Sequence, residues 1–103
     1  MLKAPKYQKD QVVSFKLVNG DEVVARIVEE GDDAFVVNKP TTVIPSAQGM
    51  GLLQSLYTSD LNNSITIEKR HVMLHAPTVE QVQNHYIQTT TGIEPVSAGG
   101  IIT

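Results

Sequence analysis

The chain has 103 residues, 41% hydrophobic and 18% charged, with a net charge of −3 and no cysteine. That is the length of one domain with a small core. The missing cysteine excludes disulfides, thiol catalysis and cysteine-based zinc sites, and an acidic total runs against a body that wraps nucleic acid through its whole surface. Aromatic residues make up only 5%, with no tryptophan, which argues against a large stacked ligand site.

The opening MLKAPKYQKD lacks the apolar run of a signal peptide, and no segment reaches the length of a membrane span, so a cytoplasmic protein with no membrane partner is expected. Lys3, Lys6 and Lys9 make this arm loosely basic. In QVVSFKLV, Val13, Phe15 and Leu17 alternate with Ser14 and Lys16, the period of a half-buried strand. Asn19-Gly20 predicts a two-residue hairpin turn, since both positions accept positive φ. A second strand then places Val23, Ala25 and Ile27 on one face, with Val24 and Val28 adding apolar surface to the other. After the turn at Gly31 to Asp33, AFVVNKPTTVI predicts a third strand that Pro40 must end, kink or confine to an edge.

From 45 to 64 the periodicity is lost, which predicts a long loop, with a helical turn or hairpin extension around Leu52 to Tyr57. SITIEK and HVMLHA follow as two short strands joined at Lys69-Arg70. Thr78 is placed to cap a helix in which Val79, Val82, Tyr86 and Ile87 share one side, and Gly92 would end it. The expectation is an all-β fold: a small five-stranded antiparallel SH3-like barrel over 1–78, with an OB-type barrel as the alternative, and a short C-terminal helix and tail over 79–103.

With the strands in place, the sequence resembles the Sm/LSm/Hfq group. FKLVNGDEVVARIVEEGDDAFVV follows the order of its first motif from Phe15 to Val37, and LVNG and DAFVV are similar to Hfq. ITIEKRHVMLHAP has the form of the second motif, a pair of short strands with a polar turn between them. Ala25 stands where the group usually has glycine, and Glu68-Lys69 replaces the Arg-Gly pair of Sm proteins. The resemblance implies a ring: the strand at Ile65 to Glu68 pairs with the strand at Val72 to Ala76 of the next copy, with five to seven copies closing the cycle. Ile65, Ile67, Val72, Met73 and Leu74 are then the subunit-interface residues. It also implies that Lys69, Arg70 and His71 line the pore, with Phe35 as a stacking surface, so that the ring binds single-stranded RNA without catalysis.

Two readings of that patch stay open. Lys69 and Arg70 can equally pair with Glu68 and the Asp32-Asp33 turn, with Phe35 in the core, and the ring would then be a protein scaffold that binds no RNA. His71 and His75 have the spacing of a helical metal pair, but on a strand they stand about 13 Å apart, so no metal or other cofactor is expected. The glycines of GMG lack the context of a dinucleotide site. No nucleophile with a base and an acid is recognisable, so neither enzymatic activity nor a small-molecule substrate is expected.

Overall fold

The computed structural model describes residues 5–60 and 62–91. Among these residues the elements are six strands, one 3-10 turn and one helix: β1 (Val12–Leu17), β2 (Glu22–Glu30), β3 (Ala34–Ser46), β4 (Gly49–Gln54), β5 (Ser64–Glu68), the turn Lys69–His71, β6 (Val72–Pro77) and α1 (Glu80–Thr91). The sheet runs β4-β3-β2-β1-β6, and β5 also pairs with β3. All pairings are antiparallel. The all-β barrel-like class expected from the sequence is therefore present, with six strands rather than five.

The first hairpin differs in detail from its sequence signal. Gly20 N–H donates to the Leu17 carbonyl (2.9 Å), Leu17 N–H to that of Asp21 (2.9 Å), and only Gly20 takes positive φ (96°). This is a three-residue loop closed by a glycine bulge, not a two-residue turn with both φ values positive. Asn19 contributes through its side chain instead, its Oδ1 accepting from the Asp21 N–H at 3.0 Å.

Half of the expected 45–64 loop is hairpin. β3 continues to Ser46, turns through Ala47-Gln48, and returns as β4 in unbroken register, Ser46 opposite Gly49 through Thr41 opposite Gln54. Pro40 does not end β3; it kinks it. Lys39 has φ of 50°, and Lys39 and Pro40 together stand opposite Ala25 alone. A proline fits here because a bulge asks no ladder hydrogen bond of it. A second irregularity at Val28 shifts the β2–β3 register again. These two bulges supply the curvature that curls the sheet, a task a glycine at position 25 would otherwise share.

The curled sheet is buried on both faces. Inside lie Val13, Phe15, Val23, Ala25, Ile27, Phe35 and Val37, with Leu17, Ile65, Ile67 and Val72 packed against them. On the outer face Val12, Val24 and Leu52 meet Tyr86 of α1. Val82 packs there too, and Thr90 is buried, so the helix shows the sheet the i, i+4, i+8 stripe of 82, 86 and 90. Val79 and Ile87, expected on that face, are exposed. Thr78 is engaged elsewhere than in a cap: its hydroxyl bonds Ser14 Oγ at 2.7 Å, tying the start of the helix to β1. Gly92 lies outside the described residues.

Candidate functional site

The basic cluster forms where β5 leaves β3 and the chain crosses to β6. Two backbone bonds fix the turn: Lys69 N–H donates to the Asp33 carbonyl (2.9 Å) and Val18 N–H to that of His71 (2.8 Å). The four residues expected at the RNA site part company here. Lys69 Nζ points inward, 2.8 Å from Glu30 Oε2 and 5.0 Å from the centre of the Phe35 ring. Phe35 is 1% exposed, with the Phe15 ring at 4.9 Å and the His75 ring at 5.4 Å, so the barrel's own side chains cover the ring. Arg70 and His71 remain on the surface, Arg70 in a 2.7 Å contact with Glu68.

Tyr7 and Glu30, neither of them among the residues expected at the site, complete the cluster together with His75, which the sequence offered only as half of a metal-like pair. Tyr7, in the arm before β1, lays its ring edge-on to His75 (5.5 Å between centroids), and its hydroxyl lies 2.7 Å from His75 Nδ1. The Tyr7 N–H donates to Glu30 Oε1 at 2.8 Å. One carboxylate thus holds both the arm and the basic turn. Burial acts to push the Glu30 carboxyl up, but the hydrogen bonds from Lys69 and the Tyr7 N–H, with the charge of Lys69, outweigh it and hold the group below the usual carboxylate range. Desolvation, and then the nearby Glu30 charge, raise the Tyr7 hydroxyl. Among the described residues no buried side-chain nitrogen or oxygen lacks a partner. No group of three histidine, cysteine or acidic side chains among them converges on a metal position.

Because the folded pKa of Glu30 is lowered, its contribution to stability is complete above its unfolded value of about 4.3 and is lost as pH falls through the lower folded value. Glu30→Gln breaks the pair with Lys69 and leaves that ammonium half-buried. The expected cost is about 1 to 2 kcal/mol at pH 7. Urea unfolding of both proteins from pH 7 to pH 3 should show the gap closing at the acid end.

The residues expected at a subunit interface fall into two groups. Ile65, Ile67 and Val72 turn toward the chain's own core, partly buried. Met73 and Leu74 are 62% and 64% exposed, Met73 at the point where the β1–β6 register slips. Within the chain β5 pairs only with β3, and β6 only with β1, leaving one side of each strand without a backbone partner among the described residues.

Fold and site together define a small all-β barrel-like domain with a polar turn at its mouth. No protein-family model matches the chain, and no curated protein matches it. No helix among the described residues is long and apolar enough to cross a membrane.

Proposed function

We propose that the chain is a cytoplasmic, Sm-like module that assembles into a closed ring of five to seven copies and serves as a protein scaffold. The observation that carries this reading is the pair of half-satisfied strands, β5 and β6, with Met73 and Leu74 exposed on the second. An unpaired strand edge is a template for another strand. A head-to-tail contact of β5 with β6 of the next copy satisfies both edges, and a rotation that closes leaves none over.

The scaffold reading is favoured over RNA binding by the same cluster that suggested RNA. Phe35 offers no free face to a base, Lys69 is neutralised by Glu30, and Arg70 by Glu68. The exposure of Arg70 and His71 favours the second reading, a ring whose pore touches single-stranded RNA through those two side chains alone.

Native mass spectrometry of protein purified without nuclease separates these. A single closed species without added mass supports the scaffold, while extra mass that RNase removes supports RNA at the pore. A monomer at every concentration overturns both. For the scaffold, the double variant Arg70→Ala, His71→Ala should leave the oligomer mass unchanged. RNA affinity should be weak in both proteins even at low salt, where electrostatic binding is strongest.

A further inference from the structure

The third open edge belongs to β4, and it is built differently from the other two. Between Lys39 and Asp60 the sequence contains no charged residue, so the whole β3–β4 ribbon beyond the kink is neutral. Edge strands are ordinarily guarded by a charge, a proline or a bulge. β5 ends in Glu68, and β6 slips register at Met73. β4, GMGLLQ, has none of the three, its pairing with β3 unbroken along its length. Its other side has no strand partner among the described residues.

The side chains on this ribbon give it a shape. Leu53 is 51% exposed and shares a face with Gly49 and Gly51, and Ile44, 41% exposed, stands directly opposite Gly51 on that same face. A Cβ built on Gly49 meets nothing within 4 Å, and one on Gly51 meets only the Ile44 carbonyl oxygen at 3.9 Å. The ribbon therefore carries an apolar knob, Leu53, beside two empty positions along one edge.

We infer that β4 docks edge to edge, antiparallel, with β4 of a second copy of this chain about a two-fold axis. Such an axis perpendicular to the sheet keeps each face on its own side. The two fullest registers it allows put Leu53 of each copy across from Gly51 or Gly49 of the other. The Gly51 register is preferred, because there Leu53 fills the space that glycine leaves and comes alongside Ile44 two strands away, making one apolar stripe across the seam, whereas Gly49 stands opposite Ser46. A neutral strand suits its own copy as partner, since no register sets like charges opposite each other. The seam uses none of the edge supplied by β5 and β6 and so stands independently of the ring.

Analytical ultracentrifugation of the full chain tests it, with two variants. Leu53→Lys puts a charge on the edge at an exposed position. Gly51→Val fills the space opposite Leu53 at the cost only of ordinary contact with the Ile44 carbonyl. The wild type should have an even number of subunits, and each variant half that mass with an unchanged far-UV circular dichroism spectrum. A wild-type dimer that becomes a monomer supports the seam while removing the ring. An odd subunit number in the wild type, or a mass that neither variant changes, overturns the seam, and in the second case leaves any ring standing.

Discussion

Replacing Tyr86 with alanine should cost about 3 to 5 kcal/mol, the range for removing a fully buried aromatic side chain, read as a lowered urea midpoint. Tyr86 is the only aromatic residue in the outer-face cluster, packed with Val12, Val24 and Leu52. Its hydroxyl proton is shared between the carbonyls of Asn38 (3.1 Å) and Lys39 (2.8 Å), on the strained side of the β3 kink. A non-glycine residue at positive φ is held at a cost of roughly 1 to 3 kcal/mol, so the helix clamps the one place where β3 resists its own path. Tyr86→Phe keeps the ring but removes the hydroxyl's bonds to those carbonyls, and should cost about 1 to 2 kcal/mol. Burial pushes the Tyr86 hydroxyl up to about 12, against a lesser pull from Arg26. A raised tyrosine pKa favours the folded state fully below the ordinary value of 10.0. That contribution, about 2 to 3 kcal/mol, is lost as pH rises through about 12. The phenylalanine variant should lack this alkaline limb.

Phe35→Ala should be comparably damaging, about 3 to 5 kcal/mol in the same unfolding experiment. The ring touches elements from both ends of the chain: Phe15 of β1, His75 of β6, Tyr7 of the arm and Lys69 of the turn. Its removal opens a cavity beneath the Glu30–Lys69 pair and takes away the surface on which the arm rests. A small loss of stability in Phe35→Ala would mean that the ring is available for something else, stacking on a base included. Phe35→Leu, which keeps most of the volume, should cost less than half as much.

The parts of this fold legible in the sequence are those whose signals are local. Alternation gave the inward faces of β1 and β2, whereas of the four residues expected on the packed side of α1 only Val82 and Tyr86 lie there, Val79 and Ile87 being exposed. β4 was obscured because GMGLLQ has no β-branched residue and two glycines, a composition poor in strand signal although it pairs without a break. Pro40 announced an end, a kink or an edge, but nothing near it in sequence announced the tyrosine that holds the kink. The cluster at the barrel mouth was half legible for a similar reason. Lys69, Arg70 and His71 stand out as neighbours, whereas the partner that neutralises Lys69 lies 39 residues back and the one for His75 lies 68 back. Phe35 looked like a stacking surface by its place in a motif. Only packing decides that the ring is covered.

The bond between Ser14 and Thr78 spans 64 residues, and β6 fills the free side of β1 beside it. Among the described residues, the first strand therefore obtains its second neighbour only when the last strand, β6, exists. During synthesis β1 to β4 emerge as successive hairpins that can form as they appear, yet they present a half-lined core with an open flank until Val72–Pro77 has cleared the ribosome. Closure is the long-range step, and long-range strand pairing is what slows folding. The neutral ribbon is exposed throughout that interval, so the chain is most prone to premature strand pairing in the interval before β6 docks on β1.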